Sequence, residues 1–236
     1  MGGFFLVAWP PLAFLLVLTA ASLYAARQGA ASSEAVGTFV ETRLSMLLAT
    51  TLTIVGIALG LLVLVWPEAG PLLAAALQAG SWQGVGVGAA VGAAIAAVYF
   101  GGLERGVQWM QTHLGDYVPA GSTNVLGSAG GAFFLANVVL APLVEEAWYR
   151  GLLFDLLSSS FSPGVALIVG SAAFGLFHWP GGVWYMVITG GLVGSACWGL
   201  RIWDGGLWAP YMAHLTLNVI EYAVLRRRAR ESATRP

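Results

Sequence analysis

Six long stretches of this chain carry no Asp, Glu, Lys or Arg: residues 1–26, 44–67, 69–103, 117–144, 156–200 and 205–220. A helix rises about 1.5 Å per residue and a bilayer core is about 30 Å thick, so an apolar run of roughly 20 residues can cross it. With 58% apolar and only 9% charged residues, against about a quarter charged in soluble domains, an ordinary soluble globule is excluded. The expected class is an all-α polytopic membrane bundle of about eight helices.

Sidedness follows from the basic residues. The net charge of −1 hides a cluster of Arg226, Arg227, Arg228, Arg230 and Arg235 behind the last apolar stretch, which puts the C-terminus in the cytoplasm by the positive-inside rule. Anionic lipid is its expected neighbour, and no nucleic-acid partner is expected. Every basic residue is Arg and Gly is abundant, a usage that fits a GC-rich prokaryotic genome and hence a prokaryotic cytoplasmic membrane. Cys197, the one cysteine, has no partner for an internal disulfide and is expected as a small buried packing residue.

The predicted helices cover residues 4–26, 44–66, 84–102, 122–141, 143–158, 163–178, 182–200 and 206–225, with a surface helix over 104–121. The first lacks the basic n-region of a signal peptide and is read as retained. Residues 27–43, with two Arg and two Glu, form a solvated loop. An even count places that loop outside, against its own weak charge signal; the stronger tail signal decides. The two 16-residue segments from 143 and 163 are expected as buried or tilted helices. Gly84, Gly88, Gly92 and Ala96 recur every fourth residue, a small-residue stripe expected to pack within the chain in preference to a homodimer face. His113 is expected on the exposed surface. One domain is expected over 1–236: N-terminal helices and surface helix 1–121, a core 122–225 and a basic tail 226–236. Oligomeric state is not encoded in these patterns.

Ionisable groups at membrane depth are costly and mark function. The set is short: Glu145, Glu146, Arg150, Asp155, His178, His214 and Glu221, with the amide Asn218. Glu146 and Arg150 are four apart with the acid first, the favourable order for a pair on one helix face. Glu145, turned by about 100°, needs another partner. Pro142 kinks or starts a helix, which would set both carboxylates near its N-terminus. His178 follows Phe174 by one turn, and Asn218 follows His214 by one turn on the same face of the last helix. Asp155 and Glu221, close to helix ends, are expected to be solvated or to snorkel. Such groups can serve as interhelical hydrogen-bonding glue. Together, Glu145, His178, His214 and Asn218 can perform acid–base work, with a reaction that consumes water as the natural candidate.

The sequences Glu145-Glu146-Ala147-Trp148-Tyr149-Arg150, Phe174 to His178 and His214 to Asn218, with the approach Gly206-Leu207-Trp208-Ala209-Pro210, resemble the CPBP intramembrane glutamic proteases, a family that includes the type II CAAX prenyl endopeptidases. The resemblance runs from Pro142 to about Glu221. It implies an intramembrane endopeptidase in which Glu145 and His178 activate water, His214 and Asn218 stabilise the oxyanion, and Glu146, Arg150 and Phe174 support the site. The implied partner is a membrane-anchored, lipidated or secreted-precursor peptide, within the lipid bilayer, and no cofactor is implied. Three other readings stay open. Two histidines and two glutamates can bind zinc, although the spacing is not His-Glu-x-x-His. A non-catalytic membrane adaptor, for instance one giving immunity to a secreted peptide, is the second, and a proton-coupled transporter, without repeated halves in this sequence, is the third.

Overall fold

The computed structural model describes residues 71, 74, 78–114, 134–178 and 183–233. The expected helices at 4–26 and 44–66, the loop between them and residues 115–133 lie outside these. All regular structure among the described residues is helical. Five helices carry it: α1, Trp82–Leu114; α2, residues 134–160; α3, Pro163–Phe177; α4, Val183–Asp204; and α5, Trp208–Ala233. Of these, α1 and α4 are long and apolar enough to cross a membrane. Helix α2 carries four charged residues, and α3, at 15 residues, spans only about 22 Å.

Helices α1 and α5 run side by side in the same direction. The stripe explains how they meet. A Cβ placed on Gly88 would collide with the carbonyl of Ala209, and one on Gly92 with that of Ala213, so only glycine lets the two backbones approach this closely. The equal four-residue step on both helices keeps them in register. Their starts are tied by backbone hydrogen bonds from Leu207 N to Gln78 O (2.8 Å) and from Trp208 N to Ala79 O (3.1 Å). The expected intramolecular packing of the stripe is what the structure has. Gly205, at φ 71°, ends α4 in the left-handed region and turns the chain into α5.

Two expected boundaries are absent. The surface helix over 104–121 was to be separate, yet α1 passes through a π-helical turn at Tyr99–Leu103 and continues unbroken into Glu104–Leu114. Gly101 and Gly102 fall in this wider turn without ending the helix, because both keep right-handed geometry. Likewise Pro142 does not separate two helices. A π-helical run, Phe134–Leu140, leads directly into Ala141–Glu146 and on through a second π-helical turn, Ala147–Leu152. A proline has no N–H to give to the preceding turn, and here the wide run lies immediately upstream of it. The consequence is a correction: Glu145 and Glu146 stand in mid-helix, without the favourable dipole of an N-terminus, and depend on side-chain partners. At the other end, α5 extends past 225 and takes Arg226, Arg227, Arg228 and Arg230 into its last turns.

The core gathers around Tyr149, Leu153, Phe174, Cys197, Trp198 and Ala209, all essentially inaccessible. Cys197 is buried and free as expected, its thiol donating to the carbonyl of Pro210 at 3.6 Å. His113 is exposed, stacked on Trp109 at 4.8 Å with Nδ1 on the Trp109 carbonyl.

Candidate active site

Three helices bring their polar side chains to one place. Glu145, Glu146 and Arg150 come from the middle of α2, His178 from the residue that caps the end of α3, and His214 from α5. Glu146 and Arg150 form the ion pair their spacing predicts, Nη1 to Oε1 3.1 Å, with side-chain exposures of 0% and 1%. Such a pair is sealed from any substrate. Its second guanidinium nitrogen donates to the carbonyl of Gly194 at 3.1 Å, within the π-helical turn Thr189–Gly194 of α4. A wide turn leaves carbonyls available to side chains.

Glu146 has a further partner. Its Oε1 lies 2.8 Å from His214 Nδ1. A carboxylate only accepts, so this nitrogen carries the proton and Nε2 points elsewhere. The same logic applies to His178, whose Nδ1 sits 2.9 Å from the carbonyl of Phe174; it too donates there. Both imidazoles therefore turn their Nε2 atoms toward a common neighbour, Glu145 Oε2, at 3.7 Å from His178 and 4.0 Å from His214. These separations exceed a direct hydrogen bond and suit a bridging water-sized group. Glu145 Oε2 is buried and has no hydrogen-bond partner among the described residues, a state that calls for a donor in the gap.

Exposure separates two roles. Glu145 and His178 retain 16% and 18% of their side-chain surface, while Glu146 and Arg150 retain essentially none. The first pair can meet a substrate; the second can only support. Phe174, fully buried, underlies both. Arg150 Cζ sits 4.1 Å above its ring, and the rings of His178 and His214 lie 4.7 Å and 5.7 Å away, the latter edge-on. It is a packing platform held against two imidazoles and a guanidinium.

Asn218 has a backbone partner. It is one turn beyond His214 on α5, but its Nδ2 donates to the carbonyl of Asn137 on α2 at 3.3 Å. Asp155 departs from the solvated expectation: it is partly buried and lies 3.6 Å from Arg201 Nη2. Arg201 is itself a residue the sequence reasoning passed over. It is buried and donates from Nε to the carbonyl of Arg150 at 2.8 Å. One signal could have found it, since only Arg105, Arg150 and Arg201 break the basic-free sequence between residues 44 and 225. Among the described residues, no group of three or more His, Cys, Asp or Glu meets the geometry of a metal site.

Residues 128–220 match the family model described as Type II CAAX prenyl endopeptidase Rce1-like. The matched segment holds every residue of the cluster. No curated protein and no solved structure matches the chain.

Proposed function

We propose, from the match of residues 128–220 to the type II CAAX prenyl endopeptidase Rce1-like model, that this chain is a glutamic intramembrane endopeptidase acting on a lipidated or otherwise membrane-anchored peptide. The observation that carries this reading is the convergence of two imidazole Nε2 atoms on Glu145 Oε2 at 3.7 and 4.0 Å.

In this reading a water between Glu145 and His178 loses a proton to that pair as its oxygen attacks the scissile carbonyl carbon. The tetrahedral oxyanion then receives hydrogen bonds from His214, donating through Nε2 as an imidazolium, and from Asn218, whose amide moves off the Asn137 carbonyl or uses its second hydrogen. Collapse of the intermediate breaks the C–N bond, and the proton taken from water passes to the leaving amine. Glu146 balances the positive charge on His214, and Arg150 balances Glu146. The scheme uses no metal. The bundle is one domain in the cytoplasmic membrane of a prokaryote, and the Arg-rich end of α5 faces the cytoplasm.

The test uses the full chain in proteoliposomes and an internally quenched peptide with a prenylated CAAX terminus. The wild type cleaves it, Glu145→Gln is folded and inactive, and a chelator leaves the rate unchanged. Loss of activity with chelator and its return with zinc would establish the metal reading instead. A cellular phenotype that survives Glu145→Gln would establish the adaptor.

A further inference from the structure

Arg201 lies 51 residues from Arg150 in sequence, on a different helix, yet the two are joined in both directions. Arg201 Nε donates to the backbone carbonyl of Arg150 at 2.8 Å, while the Arg150 side chain donates to the backbone carbonyl of Gly194 on the helix of Arg201 at 3.1 Å. The carbonyl that Arg201 takes belongs to the π-helical turn Ala147–Leu152. Its other nitrogens reach Asp155, at 3.6 Å, and the carbonyl of Gly205 in the turn between α4 and α5. Its guanidinium carbon lies 4.9 Å above the ring of Phe154. One side chain thus grips α2 at two places and the α4–α5 turn at a third.

We propose that Arg201 is a positioning residue for the candidate active site. It holds the Arg150 turn at one height and rotation on α4. Arg150 then presents its guanidinium to Glu146, and Glu146 presents its carboxylate to His214. Arg201 touches none of the reacting atoms, so its effect belongs to the rate of the chemical step and not to substrate affinity. A displacement of about 1 Å at a catalytic group costs on the order of a hundredfold in rate. The planar fork is what the geometry requires; a lysine can face Asp155 but cannot also hold two separate carbonyls. The inference rests on the proteolytic reading.

The experiment compares the wild type with Arg201→Lys, Arg201→Gln and Asp155→Asn in proteoliposomes, using the same quenched prenylated peptide and normalising to folded protein. The expected result is a fall in kcat of about tenfold to a hundredfold for both Arg201 variants with KM unchanged, and a kcat within about threefold of wild type for Asp155→Asn, a partly exposed partner. Folded Arg201→Lys with the wild-type kcat overturns the inference. So does an Asp155→Asn defect equal to that of Arg201→Gln, because charge neutralisation would then be the function. Failure of both Arg201 variants to fold overturns it as well, since Arg201 would then be scaffold alone. A wild type that does not cleave the peptide defeats the proteolytic reading itself, and this inference falls with it. A wild type that cleaves while Arg201→Lys keeps its rate defeats this inference only.

Discussion

His214 Nδ1 stands 2.8 Å from Glu146 Oε1, and that one hydrogen bond fixes which nitrogen of the imidazole can face the substrate. Glu146→Gln keeps the side chain's shape but replaces a pure acceptor with an amide that can also donate. The imidazolium form of His214 then loses its counter-charge, and with it the Nε2 proton that it would offer to the oxyanion. We expect a folded protein whose kcat is lower by roughly a hundredfold to ten-thousandfold, as when the carboxylate behind a catalytic imidazole is converted to an amide. Single-turnover cleavage of the quenched peptide measures it.

Glu146→Leu has a different outcome. It leaves the Arg150 guanidinium, 1% exposed, without its counter-charge. Breaking a buried pair from one side costs about 3–5 kcal/mol, so the variant should melt well below the wild type in detergent. Adding Arg150→Met should restore part of that loss without restoring activity. Thermal unfolding followed by circular dichroism reads both.

Phe174→Leu tests the platform. The substitution keeps an apolar side chain but removes the ring face beneath Arg150 and the ring contacts with two imidazoles. Loss of one buried cation–π contact costs about 2 kcal/mol. The expected result is a rate reduced by more than about tenfold in a protein that still folds. Phe174→Ala, which opens a cavity, should cost about 3–5 kcal/mol of stability in addition.

Gly92→Leu should force α1 away from α5, because its side chain begins where the Ala213 carbonyl already sits. Overpacking of this kind costs about 1–3 kcal/mol, occasionally more. Gly86→Leu on the same helix is the control, since nothing lies within 4 Å of an added Cβ there. The free Cys197, fully buried, supplies the readout: a maleimide should label Gly92→Leu at denaturant concentrations that leave the wild type and Gly86→Leu unlabelled.

Some of this was written locally in the sequence and some was not. The Glu146–Arg150 pair could be read from a four-residue spacing because both ends of it lie on one helix. The burial of Cys197 followed from its place in an apolar stretch with no second cysteine, and the inward packing of the glycine stripe from its four-residue spacing. Pro142 misled in one respect: as a helix start it would have set both carboxylates at an N-terminus, whereas the wide run Phe134–Leu140 carries the helix through it. The partners of Arg201 could not be placed, because two of them are the backbone carbonyls of Arg150 and Gly205 and the third is a carboxylate on another helix, and backbone carbonyls have no signature in a sequence. Asn218 shows a related limit. Its one-turn spacing from His214 predicted a shared face correctly, but the described hydrogen bond of its amide goes to the Asn137 backbone.

The turn Ala147–Leu152 holds more residues than an ordinary helical turn would, and it sits between the two carboxylates just upstream on α2 and Asp155 just downstream. Trimming one residue from it would rotate everything downstream by about 100°, carrying Asp155 off Arg201 while leaving Glu145 and Glu146 where they are. The part of α2 that carries the two carboxylates and the part that carries Asp155 are thus set against each other by chain length. An insertion or deletion here would be far more damaging than most substitutions, and a comparison of related chains should find the length of this segment invariant even where its letters are not.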